Sequence, residues 1–294
     1  MQQTLHPPTS ELNTIVFKLG YGRLGNRLYR FGNIMALAKE HDLRAIDFSF
    51  VNDGYASYFK NLVELRYCEY PLPSSAEESD GAKLRRQLMG SNVAYVENLD
   101  NAYDLDFELE SAKGKEILWL DGFHFHADHL VDKHRREVQS FFQPIDSVRQ
   151  RVDMAFQSLR SQYQTIVGVH IRQSDFKSWN DGKCFFEAGD YAEAMKRLYG
   201  QLLDRKPLFL VFSDEALDDY LFKPLPVLFS NGEAIEDMYS LSRCDYILGA
   251  PNSTFSGWAS FFGDTPILTL KSLEDPIDLQ HFEVNRYLNN HATI

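Results

Sequence analysis

Short apolar runs alternate with longer amphipathic stretches along most of the chain, and this alternation predicts the architecture. Residues 14–19, TIVFKL, are β-branched and apolar, which reads as a buried strand halted at Gly20. Residues 26–40 place Leu28, Phe31, Met35 and Ala38 at helical spacing, and residues 43–50 read as a second strand. A polar loop is expected over 71–80 and a short helix over 83–89. KEILWLDGFHF (115–125) reads as a strand with a turn, and 131–142 as an amphipathic helix that ends before Pro144. The second half restarts the pattern. Helices are predicted over 146–163, 191–203, 216–222, 234–242 and 253–262, and strands over 165–171, 207–212, 227–229, 246–249 and a final one over 266–270. Strands alternating with helices imply two α/β domains, 1–145 and 146–294. Open α/β sheets hold ligands at the carboxyl ends of their strands, so the loops after Leu19, Ile171, Phe212 and Gly249 are where chemistry is sought.

Composition agrees with this picture. With 294 residues, 44% of them hydrophobic and 14% aromatic, the chain can fill two cores and is not a disordered segment. A net charge of −12 argues against a nucleic-acid partner and requires any phosphate site to be a local basic pocket. The three cysteines, Cys68, Cys184 and Cys244, are odd in number and lack metal-ligand spacing, which fits free thiols in a reducing compartment. The polar start and the lack of any apolar run near the ~18 residues of a membrane span lead us to expect a soluble, cytoplasmic protein with no integral membrane segment.

Two loops carry the candidate chemistry. Gly20-Tyr-Gly22-Arg-Leu-Gly25 is a G-x-G-x-x-G between a strand and a helix, with Asp47 about 20 residues on where a dinucleotide site places its ribose-binding acid. Against an NAD site stand Arg27 and Tyr29, which suit close packing of that helix poorly. After the next buried strand comes His170-Ile-Arg172-Gln-Ser-Asp175. An arginine leaving a buried strand needs a partner. Asp175 is one choice and a phosphate the other, since the planar guanidinium suits bidentate phosphate contact. His170 would then orient the loop.

At these residues the sequence resembles α-1,2-fucosyltransferases and their α-1,6- and protein O-fucosyltransferase relatives. HIRQSD is similar to their H-x-R-R-x-D motif, GRLGNRLYRFGNIMALA (22–38) to their G-G-L-G-N-Q segment, WLDGFHFHADHL to their D-G-Y-F-Q-S segment, and FSDE to F-S-D-D/E. MYSLSRCDYILGAPNSTFSGWASFFG resembles their M-S-x-C…N-S-S-F-S-W-W block, and all five matches fall in the family's order. The resemblance implies two facing Rossmann-like domains of the GT-B type, with an acceptor-side N-terminal domain and a C-terminal domain that binds the nucleotide sugar. It further implies that Arg172 holds the donor diphosphate, that Gly22, Gly25 and Asn26 approach it, that Asp214 helps to hold the nucleoside, and that Ser253, Thr254 and Ser256 form a phosphate cradle at a helix start. His124 and His126 would line the acceptor side. The family's second arginine is Gln173 here, its glutamine after G-N is Arg27, and its W-W pair is Gly257-Trp258. Arg27 could restore charge near the donor.

The implied reaction is inverting transfer of fucose from GDP-fucose to a glycan hydroxyl, α-1,2-linked, in carbohydrate or polysaccharide synthesis. No cofactor or metal is expected, because Arg172 and backbone N–H groups can stabilise the departing diphosphate. Asp104-Leu-Asp106 lies in a polar stretch and reads as surface, and His124, His126 and His129 read as acceptor-lining or structural groups. The general base stays open among Asp175, Asp181 and Glu187. Three alternatives remain at this level: a transferase of another GDP-sugar, a GDP-sugar-binding protein without turnover, and an NAD-dependent enzyme.

Overall fold

The computed structural model describes residues 11–18, 22–52, 54–62, 68–70, 92–98, 103–122 and 125–286. The expected loop over 71–80 and helix over 83–89 lie outside them. The chain divides into two compact units, residues 1–143 and 144–294.

Among the described residues seven strands belong to the first unit: β1 (Thr14–Lys18), β2 (Arg44–Asp47), β3 (Cys68–Tyr70), β4 (Val93–Asn98), β5 (Tyr103–Asp104), β6 (Ile117–Gly122) and β7 (Phe125–His126). Five form one sheet in the order β3-β2-β1-β6-β4, parallel except for β3, while β5 and β7 pair separately. β1 is central and its first four residues are buried. The helix Leu24–Glu40 follows it, with Leu28, Phe31, Ile34, Met35 and Leu37 at most 1% exposed. Each such side chain contributes about 1.5–3 kcal/mol on burial.

Arg27 and Tyr29 are also buried on this helix, contrary to the packing objection raised from the sequence. Arg27 manages this by donating from Nη1 to the Ser49 carbonyl at 2.6 Å, with its guanidinium 5.6 Å from the Tyr55 ring centroid. Its charge also faces Asp47, a fully buried residue at the end of β2 that accepts a hydrogen bond from the Ser49 amide. Arg27 is therefore a buried residue whose charge offsets that of a buried carboxyl.

Burial pushes the Asp47 carboxyl up to about 7, against smaller opposing effects from the Ser49 hydrogen bonds and Arg27. A raised folded value means that this carboxyl's contribution to stability is full below the unfolded value near 3.8 and is lost as pH rises through about 7. Asp47→Asn keeps the acceptor oxygen but cannot ionise. The variant should therefore gain on the wild type in melting temperature as pH is raised from 5 to 8. Parallel melting curves for the two proteins would contradict this.

Among the described residues six strands form the sheet of the second unit: β8 (Thr165–Ile171), β9 (Pro207–Ser213), β10 (Val227–Phe229), β11 (Tyr246–Gly249), β12 (Pro266–Thr269) and β13 (Glu283–Val284). Their order is β10-β9-β8-β11-β12-β13, parallel except for the last. All seven residues of β8 are buried, as the apolar run TIVGVHI requires of a central parallel strand. The helix Ala188–Leu202 brings Tyr191, Met195, Leu198 and Leu202 into the same core as Val167, Val169, Phe209 and Val211.

Several expected elements differ. The helix expected over 131–142 is two helices, Asp128–Lys133 and Arg135–Phe141, separated at His134 (φ −100°, ψ 22°), whose ring meets Glu40 at 2.7 Å. The helix expected over 216–222 is only a 3-10 turn, Asp219–Phe222, started by Asp218 accepting from the Tyr220 amide. The strand at 266–270 is not the last, because β13 returns antiparallel along its edge.

Candidate donor-binding site

The order β10-β9-β8-β11-β12 runs outward from β8 in one direction and from β11 in the other. This reversal is a topological switch point, where the loops leaving two adjacent parallel strands part and open a crevice at their carboxyl ends. The loop after β8 begins at Arg172 and the loop after β11 at Ala250.

Arg172 is held by carboxylates from two sides. Its Nε and Nη2 donate to Asp175 Oδ1 at 2.9 and 2.6 Å, and its Nη1 lies 3.0 Å from Asp214 Oδ2. Asp214, just past β9, joins three consecutive residues: besides Arg172 it accepts from the Gln173 amide at 2.8 Å and from the Ser174 hydroxyl. Partial burial pushes the Asp214 and Asp175 carboxyls up, but their hydrogen bonds and the Arg172 charge outweigh it and hold both below the usual range. The arginine thus leaves the sheet oriented by two ionised carboxylates. The Asp175 side chain is 57% exposed, so it can yield its place on the guanidinium to an incoming anion, while Asp214, 15% exposed, stays.

His170, the penultimate residue of β8, is buried, and its ring lies 5.0 Å from that of Phe255. Burial and then the Arg172 charge push its imidazole down to about 4, so it is neutral near pH 7. Its Nδ1 lies 3.4 Å from the Ser253 hydroxyl. Ser253 is the N-cap of the helix Thr254–Gly263 and makes no side-chain capping bond. The first amides of a helix lack intrahelical acceptors and, with the helix dipole, favour an anion. Thr254 is half-buried at the first helical position. The Ser256 hydroxyl is sealed at 1% exposure against Gly249, where an added Cβ would come within 3.0 Å of it. Ser256 can therefore serve an anion only through its backbone amide.

Beside these loops, at the carboxyl ends of β9 and β10, lies a cavity of about 250 Å³ lined by Val211, Ser213, Glu215, Leu217, Phe229 and Ser230. Sequence reasoning missed this cavity, because it needs β9 and β10 in register. It also missed Ser174 and Phe255, although both lie within the motifs singled out.

The structure thus brings His170, Arg172, Asp175, Asp214, Ser253, Thr254 and Ser256 to one end of one sheet. Gly22, Gly25, Asn26 and His126 belong to the first unit and lie at the corresponding end of its own sheet, after β1 and β6. Gly22 has φ +93°, and a Cβ there would sit 2.9 Å from Asn26, so only glycine makes that turn. His126 Nδ1 meets Arg30 at 3.1 Å, and His129 meets Asp106 at 3.3 Å. His124 lies outside the described residues. Asp104 caps the helix Leu105–Ser111 by accepting from the Asp106 amide. Asp47, which a dinucleotide site would turn toward a ribose, is sealed in the core and bonded to Ser49, which counts against the NAD reading. No helix among the described residues is long and apolar enough to cross a membrane.

A family model described as "Glycosyl transferase family 11" matches residues 116–285, more than half of the chain. No curated protein matches the sequence. Among solved structures, the chain is similar to NodZ α-1,6-fucosyltransferase soaked with GDP-fucose (TM-score 0.55, 15% identity, covering 92% of this chain and 97% of that one). It is also similar to an arginine-to-lysine mutant of Arabidopsis thaliana FUT1 in complex with GDP (TM-score 0.55, 14% identity, 89% and 71% covered) and to POFUT1 in complex with GDP-fucose (TM-score 0.53, 13% identity, 89% and 98% covered). At such identities these likenesses establish the shared two-sheet α/β fold.

Proposed function

The chain belongs to glycosyl transferase family 11, and from that premise we propose that it transfers fucose from GDP-fucose to a glycan hydroxyl, inverting the anomeric carbon without a metal ion. The observation that carries this reading is Arg172, fixed by Asp175 and Asp214 at the switch point and adjoining an uncapped helix start. Such an arrangement suits a diphosphate: a planar cation for two oxygens and backbone amides for the others. NodZ and POFUT1 have been captured with GDP-fucose, and the FUT1 mutant with GDP, which supports this choice of donor.

In the proposed reaction the acceptor hydroxyl oxygen attacks the anomeric carbon as the bond to the diphosphate breaks, and the hydroxyl proton is released to water as the new bond forms. Positive charge develops on the sugar ring, as in glycoside hydrolysis, and negative charge on the departing GDP. Arg172 and the helix start at 254–256 would face the second charge, and a fixed cation and dipole need little reorganisation when it forms. Asp175 donates its charge to orienting Arg172, and its depressed proton affinity makes it a weak base. The purine nucleoside would occupy the cavity lined by Phe229, where Glu215, which accepts from Lys177 at 2.8 Å, has capacity left to accept from the guanine N1–H and amino group. An α-1,2 linkage to a galactoside is the product we assign.

Incubation with GDP-fucose and galactose-terminated oligosaccharides in EDTA tests this directly. We expect an α-fucosylated product, identified by the coupling constant of its anomeric proton. A β-linked product would overturn inversion. Recovery of activity only on adding Mg²⁺ or Mn²⁺ would overturn metal independence.

A further inference from the structure

We propose that Gln173 is a positioning residue, a neutral staple that sets the direction of Arg172, rather than a weakened phosphate ligand. The proposal rests on the assignment of Arg172 to the donor diphosphate. By the family resemblance an arginine would stand at 173, and its replacement would mean one cation lost from the site. The structure gives Gln173 a different task. It is 5% exposed, and its Nε2 donates to the Phe186 carbonyl at 2.9 Å and to the Arg172 carbonyl at 3.3 Å. Its backbone amide donates to Asp214 Oδ1, the carboxylate whose other oxygen holds Arg172.

Between Gln173 and Phe186 the chain makes an excursion through two short 3-10 turns, Asp175–Lys177 and Trp179–Gly182, reversing at Asn180, Asp181 and Gly182, all with positive φ. The Gln173 side chain closes this excursion at its base. A second tie, from Asn252 Nδ2 to Cys184 Sγ at 3.2 Å, joins the same segment to the loop after β11. Asp175, which orients Arg172, lies inside the closed segment.

This chemistry needs a neutral amide. Both N–H groups of Nε2 meet half-buried carbonyls, and a carboxylate there would face two acceptors with no proton to share. A guanidinium would bury a second positive charge beside Arg172, with five donors for two carbonyls. On this account, restoring the family's arginine harms the site.

The test is titration calorimetry of GDP, with guanosine followed by NMR titration, for wild type, Gln173→Met, Gln173→Glu, Gln173→Arg and Arg172→Ala. Methionine matches the side chain in length and lacks its donors, so it is the variant expected to keep the fold. We expect each Gln173 variant to weaken GDP by about tenfold, as loss of an orienting buried hydrogen bond implies, with guanosine affinity unchanged. Tighter GDP binding by Gln173→Arg would overturn the proposal, and so would equal weakening of GDP and guanosine. If Arg172→Ala weakens GDP and Gln173→Met does not, the staple fails while the donor assignment stands. If Arg172→Ala leaves GDP affinity intact, the donor assignment itself fails.

Discussion

Replacing Arg172 with alanine is expected to lower kcat/KM for GDP-fucose by at least about 10²–10³, the loss seen when one preorganised charge-stabilising donor is removed from an active site. The penalty exceeds the loss of a single contact. Without the guanidinium, the Asp175 and Asp214 carboxylates stand unopposed at the mouth of the switch point, and a diphosphate would approach two negative charges. Arg172→Lys should fail almost as badly, because a point charge cannot span both carboxylates or two phosphate oxygens with a planar fork. Circular dichroism should show both variants folded, since Arg172 is held by loop residues outside the apolar core. Near-wild-type turnover by Arg172→Ala would remove the basis of the proposed mechanism.

The largest loss of stability is expected from Gly263→Ala. Gly263 ends the helix whose start is the proposed phosphate cradle. A Cβ there would lie 2.0 Å from the Ser242 carbonyl oxygen and 2.8 Å from its carbon. That carbonyl also accepts from the Thr265 hydroxyl at 2.8 Å, so it is fixed on a second side. A flexible side chain could step aside, but backbone cannot do so without moving the helix or the end of the helix Ala234–Leu241. We expect a cost of about 3 kcal/mol or more, at the upper end of overpacking penalties. In a thermal melt this corresponds to a drop of roughly 6–12 °C for a unit of this size. Because the moving helix carries Ser253 and Thr254, GDP affinity should fall with it. A melting temperature within a degree of wild type would show that the contact can relax.

What could be read from the sequence followed burial. β8, β9 and β11 are parallel strands covered on both faces, so their apolar runs mark them within a residue or two. β4 was missed because it is a half-exposed edge whose residues Tyr95 and Glu97 face solvent. β13, with only two residues, carries no pattern to read. Arg172, Asp214 and Ser253 stand out in the sequence because each directly follows a strand or opens a helix in a recognisable motif. Their convergence depends on β9, β8 and β11 being neighbours, which is a long-range property no local pattern encodes. The same holds for charge. Arg27 and Gln173 looked like a gained and a lost cation, yet one is buried against Asp47 and the other holds a carbonyl 13 residues away.

The most direct test of the donor site is a thermal-shift comparison of wild type and Arg172→Ala in EDTA, with GDP, GDP-fucose, UDP, ADP and NAD. A ligand at about 100 times its Kd adds roughly 2.7 kcal/mol of apparent stability, a shift of several degrees. The account predicts that GDP and GDP-fucose stabilise the wild type, that UDP, ADP and NAD do not, and that Arg172→Ala loses the response. Stabilisation by NAD alone, or an undiminished GDP response in Arg172→Ala, would contradict it.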